Sequence, residues 1–73
     1  MLVYRGRLHQ ARKMNRLSQK DLAMKIGKDS PYISHLENGK VVPKLDVGLL
    51  LESILEVPMK ELFPDVYEKV KKA

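Results

Sequence analysis

Ser30, Pro31, Ser34, His35 and Asn38 fall on one side of a helix drawn at about 100° per residue, while Ile33, Leu36 and Glu37 fall on the other. The first group offers hydroxyls, an imidazole and an amide, and it holds no acid. Such groups can donate and accept hydrogen bonds against an anionic partner, because no carboxylate among them repels negative charge. They are poorly suited to catalysis. No activated nucleophile, carboxylate pair or phosphate-cradling glycine loop accompanies them, so no enzymatic activity is expected. With no cysteine, and with His9 and His35 lacking ligand partners at metal spacing, no metal and no cofactor is expected either.

The elements that would carry this face are helical. Residues 4–14 predict a first helix, with Leu8, Ala11 and Arg12 at core spacing and Asn15 as a left-handed stop. Ser18 caps a second, with Asp21 three residues on as a weaker form of the capping box. Leu22, Ala23 and Ile26 form its inner face, and Gly27 ends it where positive φ is needed. A third helix begins at Asp29 or Ser30 and ends near Asn38-Gly39. Either residue can be its cap: Asp29 by chemistry, Ser30 because proline favours the first helical position. A fourth runs over 45–55, and Pro58 opens a short fifth through Leu62 that Pro64 closes. The tail "DVYEKVKKA" adds a turn or two, with Val66 and Val70 on one face and a frayed basic end of solvated lysines. Strand-like alternation is absent. The expectation is an all-α, five-helix domain over 1–64 with a short extension over 65–73, partly helical or frayed.

Charge is divided along the 73 residues. Residues 1–44 carry ten basic groups against three acids, a net of +7, and residues 45–73 carry four against six, a net of −2. An anion-binding face at one end of the molecule follows. No apolar run approaches the roughly 18 residues of a membrane span, and the N-terminus has no signal-peptide pattern, which points to a cytoplasmic protein. At this length one hydrophobic core is the most the chain can build.

The helix–glycine–helix unit decides the function class. "LSQKDLAMKIGKDSPYISHLENGKVVPKLD" resembles the helix-turn-helix of the phage repressor and Cro family: Gln19, Leu22, Ala23, Gly27, Ile33, Leu36 and "ENGK" fall at its spacings without a gap. The likeness continues through "VPMKELF" and covers about residues 7–63. It implies a compact repressor-like domain whose third helix reads duplex DNA. Gln19 matches a phosphate-bonding position, and Ser30, Pro31, Ser34 and His35 match base-facing ones. Asn38, Lys40 and Lys44 match positions that contact the DNA backbone, and Arg12 with Glu37 match an internal salt bridge. The family often reads bases with Gln, Asn or Arg, which grip base edges with two bonds. Here specificity rests instead on His35, Lys28 and DNA shape. Lys44 also stands where relatives often place a helix-capping serine.

On the fourth helix, Val47, Leu50 and Ile54 widen the apolar arc to about 160°, more than one buried stripe needs. They form either a homodimer contact or a face covered by "PDVYEKV". The resulting expectation is a small dimeric transcriptional regulator, a repressor rather than an activator, on a palindromic operator. Relatives of this size include restriction–modification controllers and antitoxins. The rival reading is accordingly an antitoxin that holds a toxin protein through 45–73 and binds its own operator, and contact with polymerase belongs to either.

Overall fold

The computed structural model describes residues 3–72, and side chains through residue 69. Six helices follow in order: α1 (Gly6–Met14), α2 (Gln19–Lys25), α3 (Ser30–Glu37), α4 (Leu45–Leu55), α5 (Met59–Leu62) and α6 (Pro64–Lys72). The described residues contain no strand, as the pattern predicts. The sixth helix is more than the turn or two expected of the tail. The side chain of Val70 and all of Ala73 lie outside the described residues, while Val66 packs against the core.

The first three helices end by the same device. In each, the amide two residues beyond the helix cap bonds back to a carbonyl in the last turn: Leu17 to Arg12 at 3.1 Å, Lys28 to Ala23 at 2.8 Å and Lys40 to His35 at 2.9 Å. The residue between takes positive φ, at Arg16, Gly27 and Gly39. The left-handed stop of α1 is therefore Arg16, not Asn15. Asn15 keeps a right-handed φ of −86° and spends its side-chain amide on the carbonyl of Ala11, 2.8 Å away. Gly39 has a second reason to be glycine, since a Cβ there would lie 2.2 Å from the carbonyl oxygen of Val3.

Helix starts follow side-chain chemistry. Ser18 and Asp21 complete a reciprocal box, with Asp21 N–H donating to Ser18 Oγ at 2.9 Å and Ser18 N–H to Asp21 Oδ2 at 3.0 Å. Asp29 caps α3, accepting from Tyr32 N–H at 3.1 Å, so Ser30 and Pro31 occupy the first two helical positions. Helix α1 begins at Gly6 rather than Tyr4: Arg5 is its N-cap, with a non-helical ψ of 76°, its carbonyl accepting from His9 N–H at 3.2 Å and its amide donating to the carbonyl of Glu37, 2.7 Å away. Lys44 precedes α4 without a side-chain cap, leaving Asp46 Oδ1 to accept from Val47 N–H at 2.9 Å. Glu52, an acid on a largely apolar helix, accepts from Met59 N–H at 2.8 Å and so satisfies the first amide of α5.

One core joins these pieces. Leu8, Leu22, Ile33, Leu36, Leu51 and Leu62 are fully buried, and Ala11, Ala23, Ile26, Leu55, Val57 and Phe63 complete it. Val47 belongs here too, at 5% exposure. It cannot offer a partner-binding surface, because its place on α4 beside Leu51 turns it inward. That part of the proposed dimer contact is corrected.

Candidate nucleic-acid interface

Helices α2 and α3 pack through Leu22, Ala23, Ile33 and Leu36, which leaves the opposite side of α3 outward. Pro31, His35 and Asn38 are exposed there, and Ser30 and Ser34 are half-buried between them. Asn38 Nδ2 donates to the carbonyl of Ser34 at 2.8 Å and approaches Ser34 Oγ at 3.4 Å, so these two side chains are ordered against each other. Lys40 and Lys44 stand exposed on the loop beyond the helix. Lys28 sits at the start of the same face, with Nζ 5.2 Å from the centre of the Tyr32 ring. Tyr32 is itself half-buried on the flank; burial and, secondarily, Asp46 raise its hydroxyl pKa. A cleft of about 430 Å³ runs between α2 and the start of α3, lined by Lys20, Ala23, Met24, Lys28, Asp29, Ser30 and Pro31.

The face is held from behind by a buried ion pair. Arg12 Nε donates to Glu37 Oε2 at 2.5 Å, and both side chains are almost wholly buried. Arg12 also donates to the carbonyl of Leu17 at 2.8 Å. Gln19 Nε2 donates to Glu37 Oε1 at 3.3 Å, which fixes a half-buried side chain at the first residue of α2. Burial alone would raise the carboxyl pKa of Glu37. The hydrogen bonds from Arg12 and His9, with the charge of Arg12 and the Gln19 bond, outweigh burial and hold it below the usual carboxylate range.

Two of the ten basic groups of residues 1–44 are thus not available to an anion. Arg12 is spent on Glu37, and Arg5 is buried at 2% exposure. The Arg5 guanidinium forks onto Asp65, with Nε to Oδ1 at 3.0 Å and Nη2 to Oδ2 at 2.9 Å. Its Nη1 donates to the carbonyls of Leu36 and Val41, both at 2.7 Å, and its carbon lies 5.2 Å from the Phe63 ring centre. Sequence reasoning missed this group. Nothing local distinguishes Arg5 from a surface cation, and its partner lies sixty residues away.

The family model described as helix-turn-helix matches residues 8–62. This chain is a helix-turn-helix protein of the phage repressor and Cro type. The match runs from α1 to the end of α5, and both Arg5 and Asp65 stand outside it. Comparison with curated proteins found no match, and comparison with solved structures found none either. Membership makes the protein a DNA-binding regulator. Among the described residues, no helix of this helix-turn-helix protein is long and apolar enough to cross a membrane, and no cluster of His, Cys, Asp or Glu could hold a metal ion.

The second surface of note is on α4. Leu50 is 45% exposed and Ile54 is half-buried against the core. On the other flank, Leu45 and Leu49 are 70% and 50% exposed, with Val42 exposed in the preceding loop. Leu45 and Leu49 escaped the sequence reading because the fourth helix is apolar around most of its circumference, and periodicity cannot choose its inner side.

Proposed function

We infer that this protein recognises specific sequences in duplex DNA by laying α3 in the major groove, and that it acts as a homodimeric repressor. The observation that carries the reading is the acid-free outward face of α3, flanked by Lys28, Lys40 and Lys44 and backed by the buried Arg12–Glu37 pair. Ser30, Pro31, Ser34 and His35 face the bases, with the Pro31 ring able to lie against a thymine methyl. Gln19, Asn38, Lys40 and Lys44 hold phosphates and set the register. Exposed Leu50 with Ile54 supports a contact between two copies, which would place the two reading helices about 34 Å apart on a palindromic site. The DNA-binding domain comprises 1–64, with 65–73, which holds most of α6, as its C-terminal extension.

Affinity for duplex DNA measured against salt tests this reading directly. Two charged phosphate contacts per protomer, Lys40 and Lys44, make four in the dimer and predict a loss of roughly 100-fold between 50 and 200 mM salt. Selection from random sequence should then return a two-fold-symmetric site. His35→Ala should alter which bases are preferred, and Gln19→Ala should weaken binding evenly across sequences. Binding that ignores salt removes the proposal. A protein that sediments as a monomer and is indifferent to Leu50→Glu on DNA removes the dimer. A copurifying second protein that masks residues 45–73 would favour an antitoxin.

A further inference from the structure

Between Lys40 and Lys44 the chain runs through Val41, Val42 and Pro43 without regular structure. Each lysine is tied to its own helix. Lys40 N–H donates to the His35 carbonyl at 2.9 Å in the stop of α3, and the Lys44 carbonyl accepts from Gly48 N–H at 2.9 Å at the start of α4. Their relative placement is therefore set by the loop between them. Among the described residues, the only hydrogen bond to the backbone of 41–43 is the one from Arg5 Nη1 to the Val41 carbonyl, at 2.7 Å. The same nitrogen holds the Leu36 carbonyl in the last turn of α3, also at 2.7 Å. One charged donor thus bridges the end of α3 and the loop that follows it. Neighbouring groups brace the same corner: the Arg5 amide donates to the Glu37 carbonyl, and the backbone of Val3 occupies the space that a side chain at Gly39 would need. On the far side, the fork onto Asp65 fixes the plane of the guanidinium.

We propose that Arg5 is a positioning residue for DNA binding, which sets the loop 41–43 and with it the separation of Lys40 and Lys44 along the phosphate backbone. At 2% exposure Arg5 touches no DNA itself, and it acts through the two lysines. Phosphates along a strand are regularly spaced, so two lysines held at a matching separation engage both without further ordering. In a loop released from Arg5, the part-buried Val41 carbonyl turns to water and the ordering is deferred to binding. Fixing the backbone of a single residue at that moment lowers affinity by roughly tenfold.

The inference rests on Lys40 and Lys44 as phosphate contacts, and the test separates the two. Duplex affinity is measured with and without Arg5→Met at about 10 °C, near the usual maximum of stability, and the folded fraction found by circular dichroism is divided out. The expected loss is about tenfold. In a protein already carrying Lys40→Ala and Lys44→Ala the same change should cost less than about twofold, because the loop then has nothing to place. In Gln19→Ala it should again cost about tenfold. A purely structural role would give one loss in all three backgrounds. In the DNA-free protein, backbone amide order parameters at Val41 and Val42 should fall from about 0.85 to below about 0.6 in Arg5→Met, with Ser34 and His35 unchanged. Those resonances belong to the folded population, so partial unfolding of the variant does not obscure them. Asp65→Asn, which is less destabilising, should repeat the pattern at reduced size. Equal losses in the three backgrounds, or undiminished order at 41 and 42, overturn the proposal. Should Lys40→Ala with Lys44→Ala cost no affinity by itself, the phosphate contacts are what fail, and the effect of Arg5 on DNA binding fails with them.

Discussion

Replacing Glu37 by alanine is expected to lower the unfolding free energy by about 3–5 kcal/mol, as seen when one partner of a buried ion pair is removed. The variant leaves the Arg12 guanidinium enclosed between α1 and α3 with its Nε donor unanswered. It also takes the acceptor from His9 and Gln19. A domain of this length has roughly 4–11 kcal/mol to lose, so much of the protein should be unfolded near 37 °C. Urea denaturation with an unchanged m-value is the measurement. A shift below about 1 kcal/mol would mean that water reaches Arg12 and that the pair is ordinary surface chemistry. The double change Arg12→Met with Glu37→Leu should recover most of the loss, because burying two apolar chains avoids desolvating two charges. With Gln19 as the proposed phosphate contact, that variant should still lose DNA affinity, because the Glu37 carboxylate that holds the Gln19 amide is gone.

Arg5→Met is expected to have an effect of similar size, about 3–5 kcal/mol, for a different reason. One guanidinium ties the N-terminal segment to three places: the end of α3 through the carbonyl of Leu36, the following loop through Val41, and α6 through Asp65. Methionine fills the volume but takes this donor from the Val41 carbonyl and the Asp65 carboxylate, and leaves the Leu36 carbonyl only the Gly39 N–H at 3.2 Å. Arg5→Lys should rescue little, since a single ammonium cannot fork onto a carboxylate while reaching two carbonyls behind it. Asp65→Asn should cost less, because Asp65 retains about a quarter of its side-chain exposure and water can replace part of the bond. Protease cleavage inside α6 would report the release directly. Wild-type stability after Arg5→Met would show that the clamp contributes nothing.

Acid should weaken both contacts together. The hydrogen bond from Arg5 lowers the carboxyl pKa of Asp65 against the opposing effect of burial, and Glu37 is likewise held low. A carboxylate whose folded pKa is depressed contributes its full stability above the unfolded value, about 4. That contribution is lost as pH falls through the folded value. Unfolding on acidification should thus begin below about pH 4 and be less steep in Asp65→Asn.

What the sequence alone determined is whatever is decided within one turn of chain. Ser18 with Asp21, Gly27 and Gly39, Pro58, and the inward Leu22, Ile33 and Leu36 are legible because caps, stops and helical period depend on neighbours three to six residues away. The spacing of those local signals also carries the resemblance to the helix-turn-helix, which the family match over residues 8–62 bears out. Tertiary structure decided the rest. It chose the inner side of α4, burying Val47 and leaving Leu45 and Leu49 outside, because an apolar helix has no side of its own until something packs on it. It withdrew Arg5 from the basic surface and gave it to Asp65, and it brought His9, twenty-eight residues away in sequence, to the carboxylate of Glu37. Contacts at that separation have no periodicity to announce them. They exist because a buried charge must find partners, and only the folded chain supplies them.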